Sequence, residues 1–212
     1  MFLTASGVIV PFPEQIKEEY QVHENGIQFQ LSFEKLEPLL AEFLAQLEEP
    51  LFFALHLPLS KQEELELLPP GTEKMTGIHD KVCYLDGQSR EDMQAILREY
   101  GELLLNDGLS QFAVASHNTG DELFIMKYKI AVIFCKNPQK YCAMLEAYGA
   151  VRTDELHTVW DTFSEETPGH AQRIEVNGIT AHKIFEILAE KGMYQAKIVE
   201  SEHSAHYASG RE

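Results

Sequence analysis

Helical and strand patterns alternate along this chain, strand signals crowd together in its middle, and apolar residues run from end to end. Together these predict an α+β fold of alternating elements, with amphipathic helices packed on a mixed, partly antiparallel sheet. The 212 residues are 44% hydrophobic and 10% aromatic, enough apolar surface to offset the entropy of ordering the chain. A single domain over residues 1–200 is expected. The Pro- and Gly-containing stretch near residues 69–76 is the best place for a weak boundary, and residues 201–212 form a polar tail without periodicity that reads as disordered.

The first strand follows Asn25-Gly26, where Ile27, Phe29, Leu31 and Phe33 alternate with polar residues. From Glu34 to Glu49, Leu36, Leu39, Leu40, Phe43, Leu44 and Leu47 recur at helical spacing opposite glutamates, and Pro50 closes the segment. The apolar run from Leu51 to Leu59 reads as a strand, after which Ser60 caps a short acidic helix ending near Pro69-Pro70-Gly71. Lys81 to Leu85 is a strand and Asp86-Gly87 a turn. Ser89, with Asp92 three residues on, opens a helix through Leu104 that Asn106-Asp107-Gly108 ends.

Phe112 to Ala115 and Leu123 to Cys135 flank the turn His117-Asn118-Thr119-Gly120 and read as a hairpin. A helix begins at Asn137-Pro138 and stops at Gly149. Later elements are a strand from Leu156 to Phe163, a loop through Thr167-Pro168-Gly169, a strand from Arg173 to Val176, and the turn Asn177-Gly178. A helix capped by Thr180 runs to Lys191, and a closing strand spans Tyr194 to Val199.

Charge is the compositional outlier. The chain holds 34 Asp and Glu against 17 Lys and Arg, a formal net charge of −17, with 18 of the acids and only 7 of the bases in the first hundred residues. Phosphate backbones are bound through Lys and Arg, so this balance excludes nucleic acid as the expected partner and disfavours anionic membranes. Solubility in a salty cytoplasm accounts for such charge as well as steering of a basic partner does. Three scattered cysteines, Cys83, Cys135 and Cys142, suit core thiols in a reducing compartment. With no basic leader segment and no apolar run near the roughly 20 residues that span a bilayer, the cytoplasm is the expected location.

Neither Gly-rich phosphate loops nor the linear motifs of serine hydrolases and zinc proteases occur, so a binding protein is favoured over an enzyme, with no cofactor and no metal expected. Two polar clusters merit attention. Ser116 to Glu122 places His117 beside Asp121 and Glu122, residue types that hold metals or move protons, although a hairpin turn demands much the same composition. His157 to Glu166 contains the sole tryptophan and a run of acids: Trp160 and Asp161, then Glu165 and Glu166. In a strand, His157, Val159, Asp161 and Phe163 share one face and Trp160 the other. An aromatic anchor beside carboxylates suits a basic protein surface, and burial of Trp160 in the core is the competing expectation. His203 and His206 share helical spacing without further ligands. Glu48-Glu49 and Glu63-Glu64-Leu65-Glu66 read as solvated helix faces on which cations can land.

Acidic charge, small size, a cytoplasmic signature and the Trp160-Asp161-Thr162-Phe163 to Glu166 segment together resemble, in type, the bacterial immunity proteins that neutralise polymorphic or contact-dependent toxins. That resemblance implies a protein partner, often a basic toxin domain, held by occlusion of its substrate surface.

Overall fold

In a computed structural model, which describes residues 2–67 and 78–201, the chain runs through β1 (Val8–Ile9), β2 (Glu19–His23), β3 (Gly26–Gln30), α1 (Phe33–Gln46), β4 (Leu51–Pro58), α2 (Lys61–Glu66), β5 (His79–Gln88) and α3 (Arg90–Asn106). It continues through β6 (Gln111–Ser116), β7 (Glu122–Ile125), β8 (Ala131–Phe134), α4 (Gln139–Ala147), β9 (Val151–Arg152), β10 (His170–Ala171), α5 (Ala181–Ala189) and β11 (Tyr194–Glu200). Nine strands form one sheet in the order β11-β5-β4-β6-β7-β8-β3-β2-β9, and β1 pairs separately with β10. Among the described residues only β2 and β9 run parallel; every other neighbouring pair is antiparallel. The fold is α+β on a mixed, mostly antiparallel sheet.

Local chemistry explains where the elements start and stop. Ser60 and Ser89 each accept from the backbone N–H three residues on, while Glu63 and Asp92 return the bond to the cap, as a capping box requires. Thr180 caps α5 by accepting from the Lys183 N–H, with no bond returned. Gly149, at φ 87°, takes the left-handed turn that ends α4. Gly26 closes the β2–β3 hairpin opposite His23, and a Cβ there would lie 2.4 Å from the Ile133 carbonyl oxygen on β8. Only glycine lets the two strands approach so closely.

The helices gather on one face of the sheet. Ile27, Phe29, Phe53, Leu55, Leu85, Phe112, Val114, Leu123, Ile125 and Ile133 point into a core shared with Leu36, Leu39, Leu40 and Phe43 of α1 and Met93, Ile96 and Leu104 of α3. Tyr141 and Leu145 of α4 and Ile184 and Leu188 of α5 join them, with Phe43 and Tyr141 in ring contact at 5.0 Å. A smaller cluster of Val8, Val10, Ile16, Tyr128, Ile130 and Val159 sits apart from it.

Several expected boundaries move. The α1 segment ends at Gln46 and Leu47 is already extended. The apolar run from Leu123 is two strands, because Tyr128 and Lys129 take left-handed backbone angles between β7 and β8, so the hairpin becomes a three-stranded meander. Leu156 to Phe163 is not a strand but an extended segment leading into one 3₁₀ turn at Val159–Thr162, since Thr158 and Asp161 cap that turn reciprocally. Arg173 to Val176 forms no strand either; only a Val176–Ile179 bridge closes around Asn177-Gly178, and β10 pairs earlier. Ser201 is buried rather than part of a solvated tail. Residues 202–212, His203 and His206 among them, and residues 69–76 lie outside the described residues.

Candidate functional site: the helix-free face of the sheet

Because side chains alternate along a strand, the residues between the core positions form the opposite face. The register lays them out in rows. One row runs Tyr194, Tyr84, Ala54, Ala113, Phe124, Val132, Gln28, Gln21 from β11 to β2. The next runs Phe52, Ala115, Glu122, Phe134, Gly26, His23. The described helices α1, α3, α4 and α5 send their buried residues into the core on the other side of the sheet, and no described helix packs against this face. Antiparallel sheets commonly turn such a face to water, but then it is polar; here aromatic and alanine side chains dominate it.

Small residues make its floor and rings its walls. Ala54, Ala113 and Ala115 are buried side by side on β4 and β6. Around them stand Phe52 and Tyr84, ring centroids 5.8 Å apart, and His56 and Phe124 at 5.0 Å. Tyr194, on the edge strand, continues the series to Tyr84 at 6.4 Å. Phe134 is 46% exposed and Tyr194 48%. Beyond Phe134 the surface dips into a cavity of about 280 Å³ lined by His23, Glu24, Asn25, Gly26, Ile27, Val132 and Phe134.

The polar groups on and around this face differ in their partners. His117 Nε2 lies 3.1 Å from Asp86 Oδ1, and the Tyr194 hydroxyl donates to Asp86 Oδ2 at 2.8 Å, so one carboxylate gathers two groups at the β5 end. The His117 turn is tied down by its N–H to the Pro50 carbonyl and by Asn118 Nδ2 to the Glu49 carbonyl at 2.6 Å. His56 is pushed down to about 4, chiefly by burial, with Lys197 and Lys127 adding to the effect against Asp80. Below it, the buried Asp80 accepts from Lys127 Nζ at 3.1 Å, and Lys127 also donates to Ser201. Burial alone raises the Glu122 carboxyl above its ordinary range, and among the described residues it has no hydrogen bond or ion pair.

The structure separates the residues that the hairpin turn places close in sequence. His117 is exposed beside Asp86, and Glu122 stands on the helix-free face. Asp121 turns to the helix side, accepting from the Tyr141 hydroxyl at 2.6 Å and Lys140 Nζ at 2.9 Å. The described residues hold no group of three or more His, Cys, Asp or Glu placed to hold a metal.

The second cluster divides in a different way. Trp160 is half-buried, edge-on to Tyr128 at 4.7 Å and Phe163 at 5.2 Å, and Asp161 Oδ2 accepts from the Thr158 N–H at 2.6 Å as a cap. Glu165 and Glu166 remain exposed. The segment before Trp160 bounds the helix-free face: Gln21 and Gln30 hold the backbone of Asp154, Leu156, His157 and Val159 across β2 and β3.

Part of the acidic surface expected in the first half is internal. Glu64 is buried, accepting from the His79 N–H at 2.6 Å and lying 2.7 Å from its Nδ1. Glu63 caps α2, and the hydrogen bonds from the Ser60 backbone and hydroxyl, with Lys81 adding to them, hold its carboxyl at about 2. Glu49 accepts from the Arg90 N–H at the start of α3. The aromatic face itself escaped sequence reasoning, although Phe52, Ala54 and His56 alternating with Phe53, Leu55 and Leu57 carried its signal: both faces of β4 are apolar.

No family model matches the chain, and no curated protein and no solved structure matches it.

Proposed function

We propose that this chain is a binding protein that sequesters a basic protein partner on the helix-free face of its sheet, and that it works in the cytoplasm as the bacterial immunity proteins it resembles do. One observation carries the reading: an aromatic, alanine-floored face, open at Phe134 and Tyr194, in a chain of formal net charge −17. Exposed contiguous apolar surface marks interaction sites. Aromatic anchors in such a surface supply buried area at low entropic cost, and surrounding carboxylates speed encounter with a cationic partner. Glu165 and Glu166 lie beyond the segment that bounds the face and contribute to that field. Three free, buried cysteines suit a reducing compartment, and no described helix is long and apolar enough to cross a membrane.

The test is comparative affinity capture from native lysate with three immobilised forms: the wild type, Phe134→Lys, and the double variant Glu165→Lys/Glu166→Lys. The expected result is one basic protein retained by the wild type, lost with Phe134→Lys, and held less tightly by the double variant as salt rises. Identical retention by wild type and Phe134→Lys refutes the assignment of the face.

A further inference from the structure

Most carboxylates near the sheet are already engaged. Asp80 has Lys127, Asp86 has Tyr194 and His117, Asp121 has Tyr141 and Lys140, and Glu63 has Ser60 and Lys81. Glu122 is different, for it is half-buried and has no hydrogen bond or ion pair among the described residues. Its lateral neighbours are Ala115 on β6 and Phe134 on β8, and Phe124 lies two residues along its own strand. Beyond Ala115 stands Phe52. Phe52 and Phe134 are three strand spacings apart, about 14 Å, with a methyl-floored gap and one carboxylate between them.

We infer that Glu122 is the anchor for an Arg or Lys side chain of the partner, inserted between the Phe52 and Phe134 rings over Ala115. The chemistry admits few other occupants. A desolvated carboxylate without a donor gains nothing from an apolar group and repels an anion. A metal would want further ligands, and no His, Cys, Asp or Glu group is placed to provide them among the described residues. A guanidinium satisfies both components at once: its forked N–H groups meet the two carboxylate oxygens while its plane lies against ring faces, which attract cations. The raised carboxyl supports the same assignment, since an arriving cation would draw it back down. Basic partners are selected here by one placed carboxylate as well as by net charge.

The inference rests on the reading of this face as a protein-binding surface, and the experiment separates the two. The full chain is titrated with an oligoarginine peptide, with ethylguanidinium and with neutral N-ethylurea, while the Glu122 carboxyl carbon and the Phe124 and Phe134 ring signals are followed by NMR. Saturable shifts are expected with both cations and none with the urea, together with a fall in the Glu122 pKa. Glu122→Gln is expected to bind at least tenfold more weakly, a loss of about 1.4 kcal/mol, and Glu165→Gln/Glu166→Gln less than twofold. Shifts at Glu122 no larger than those at Glu165 and Glu166, or unchanged affinity in Glu122→Gln, overturn the anchor. Ethylguanidinium binding with oligoarginine excluded overturns it in favour of a small organic cation. If Phe134→Lys loses the captured partner while Glu122→Gln keeps it, the face stands and the anchor falls.

Discussion

His56 and Glu122 face the same side of the sheet, and burial acts on them with opposite sign. His56 enters the fold neutral, with its pKa lowered to about 4. The unfolded chain takes up that proton near 6.5, so the stability present above that pH is lost as pH falls toward 4, by at most about 3 kcal/mol. Urea unfolding of the wild type between pH 7 and pH 5 is expected to show this slope, and His56→Gln to flatten it. Burial raises the Glu122 carboxyl in the folded state, so the stability present while it is protonated is lost as pH rises above the ordinary carboxylate range. Glu122→Gln is therefore expected to raise Tm at pH 7 by roughly 2–4 °C, about 1 kcal/mol; a lower Tm would mean that the wild-type carboxylate has a favourable partner. The Asp80–Lys127 pair is a stricter case, because both groups are buried. Lys127→Met leaves Asp80 charged and uncompensated, with an expected cost of about 3–5 kcal/mol, and adding Asp80→Asn should recover most of it in thermal melts.

At the scale of elements, legibility follows how local the determining chemistry is. Ser60, Ser89 and Thr180 were readable as helix starts because each cap is completed within three residues. Thr158 and Asp161 have that same spacing, yet the alternation of His157, Val159, Asp161 and Phe163 reads as a strand, and only the reciprocal cap decides in favour of a turn. Gly169 shows what holds this turn in place. A Cβ there would meet the Phe163 ring at 2.2 Å, so Gly169→Ala must displace the ring that packs against Trp160 and Tyr128. The expected outcome is a loss of about 1–3 kcal/mol with a shift in Trp160 fluorescence; unchanged emission and stability would show that the cluster yields freely. The break between β7 and β8 could not be read in advance. The left-handed Tyr128 and Lys129 are held by a buried Lys129 ammonium donating to the Leu104 and Asp107 carbonyls, a contact across 22 to 25 residues.

On the scale of the whole molecule, strand and helix patterns predicted the class of fold but not which face of the sheet the helices would cover. The run from Leu51 to Pro58 is apolar on both sides, which suits a strand buried twice over, and the arrangement leaves Phe52, Ala54 and His56 without a described helix above them. The candidate site is thus a product of topology: its residues come from β4, β5, β6, β7, β8 and β11, dispersed from Phe52 to Tyr194. His117, Asp121 and Glu122, close in sequence, are parted by the side-to-side alternation of the chain, while Glu122 and Phe134 are brought together by register. On the proposed function, a partner covers this face when the protein is at work. Hydroxyl-radical footprinting compares the purified chain with the same chain in the native lysate that contains its partner, reading oxidation residue by residue. Phe52, Tyr84, Phe124, Phe134 and Tyr194 are expected to be protected in the lysate while the exposed Phe12 is oxidised equally in both. Equal oxidation of the face in the two samples, or protection confined to Trp160 and its loop, would contradict it.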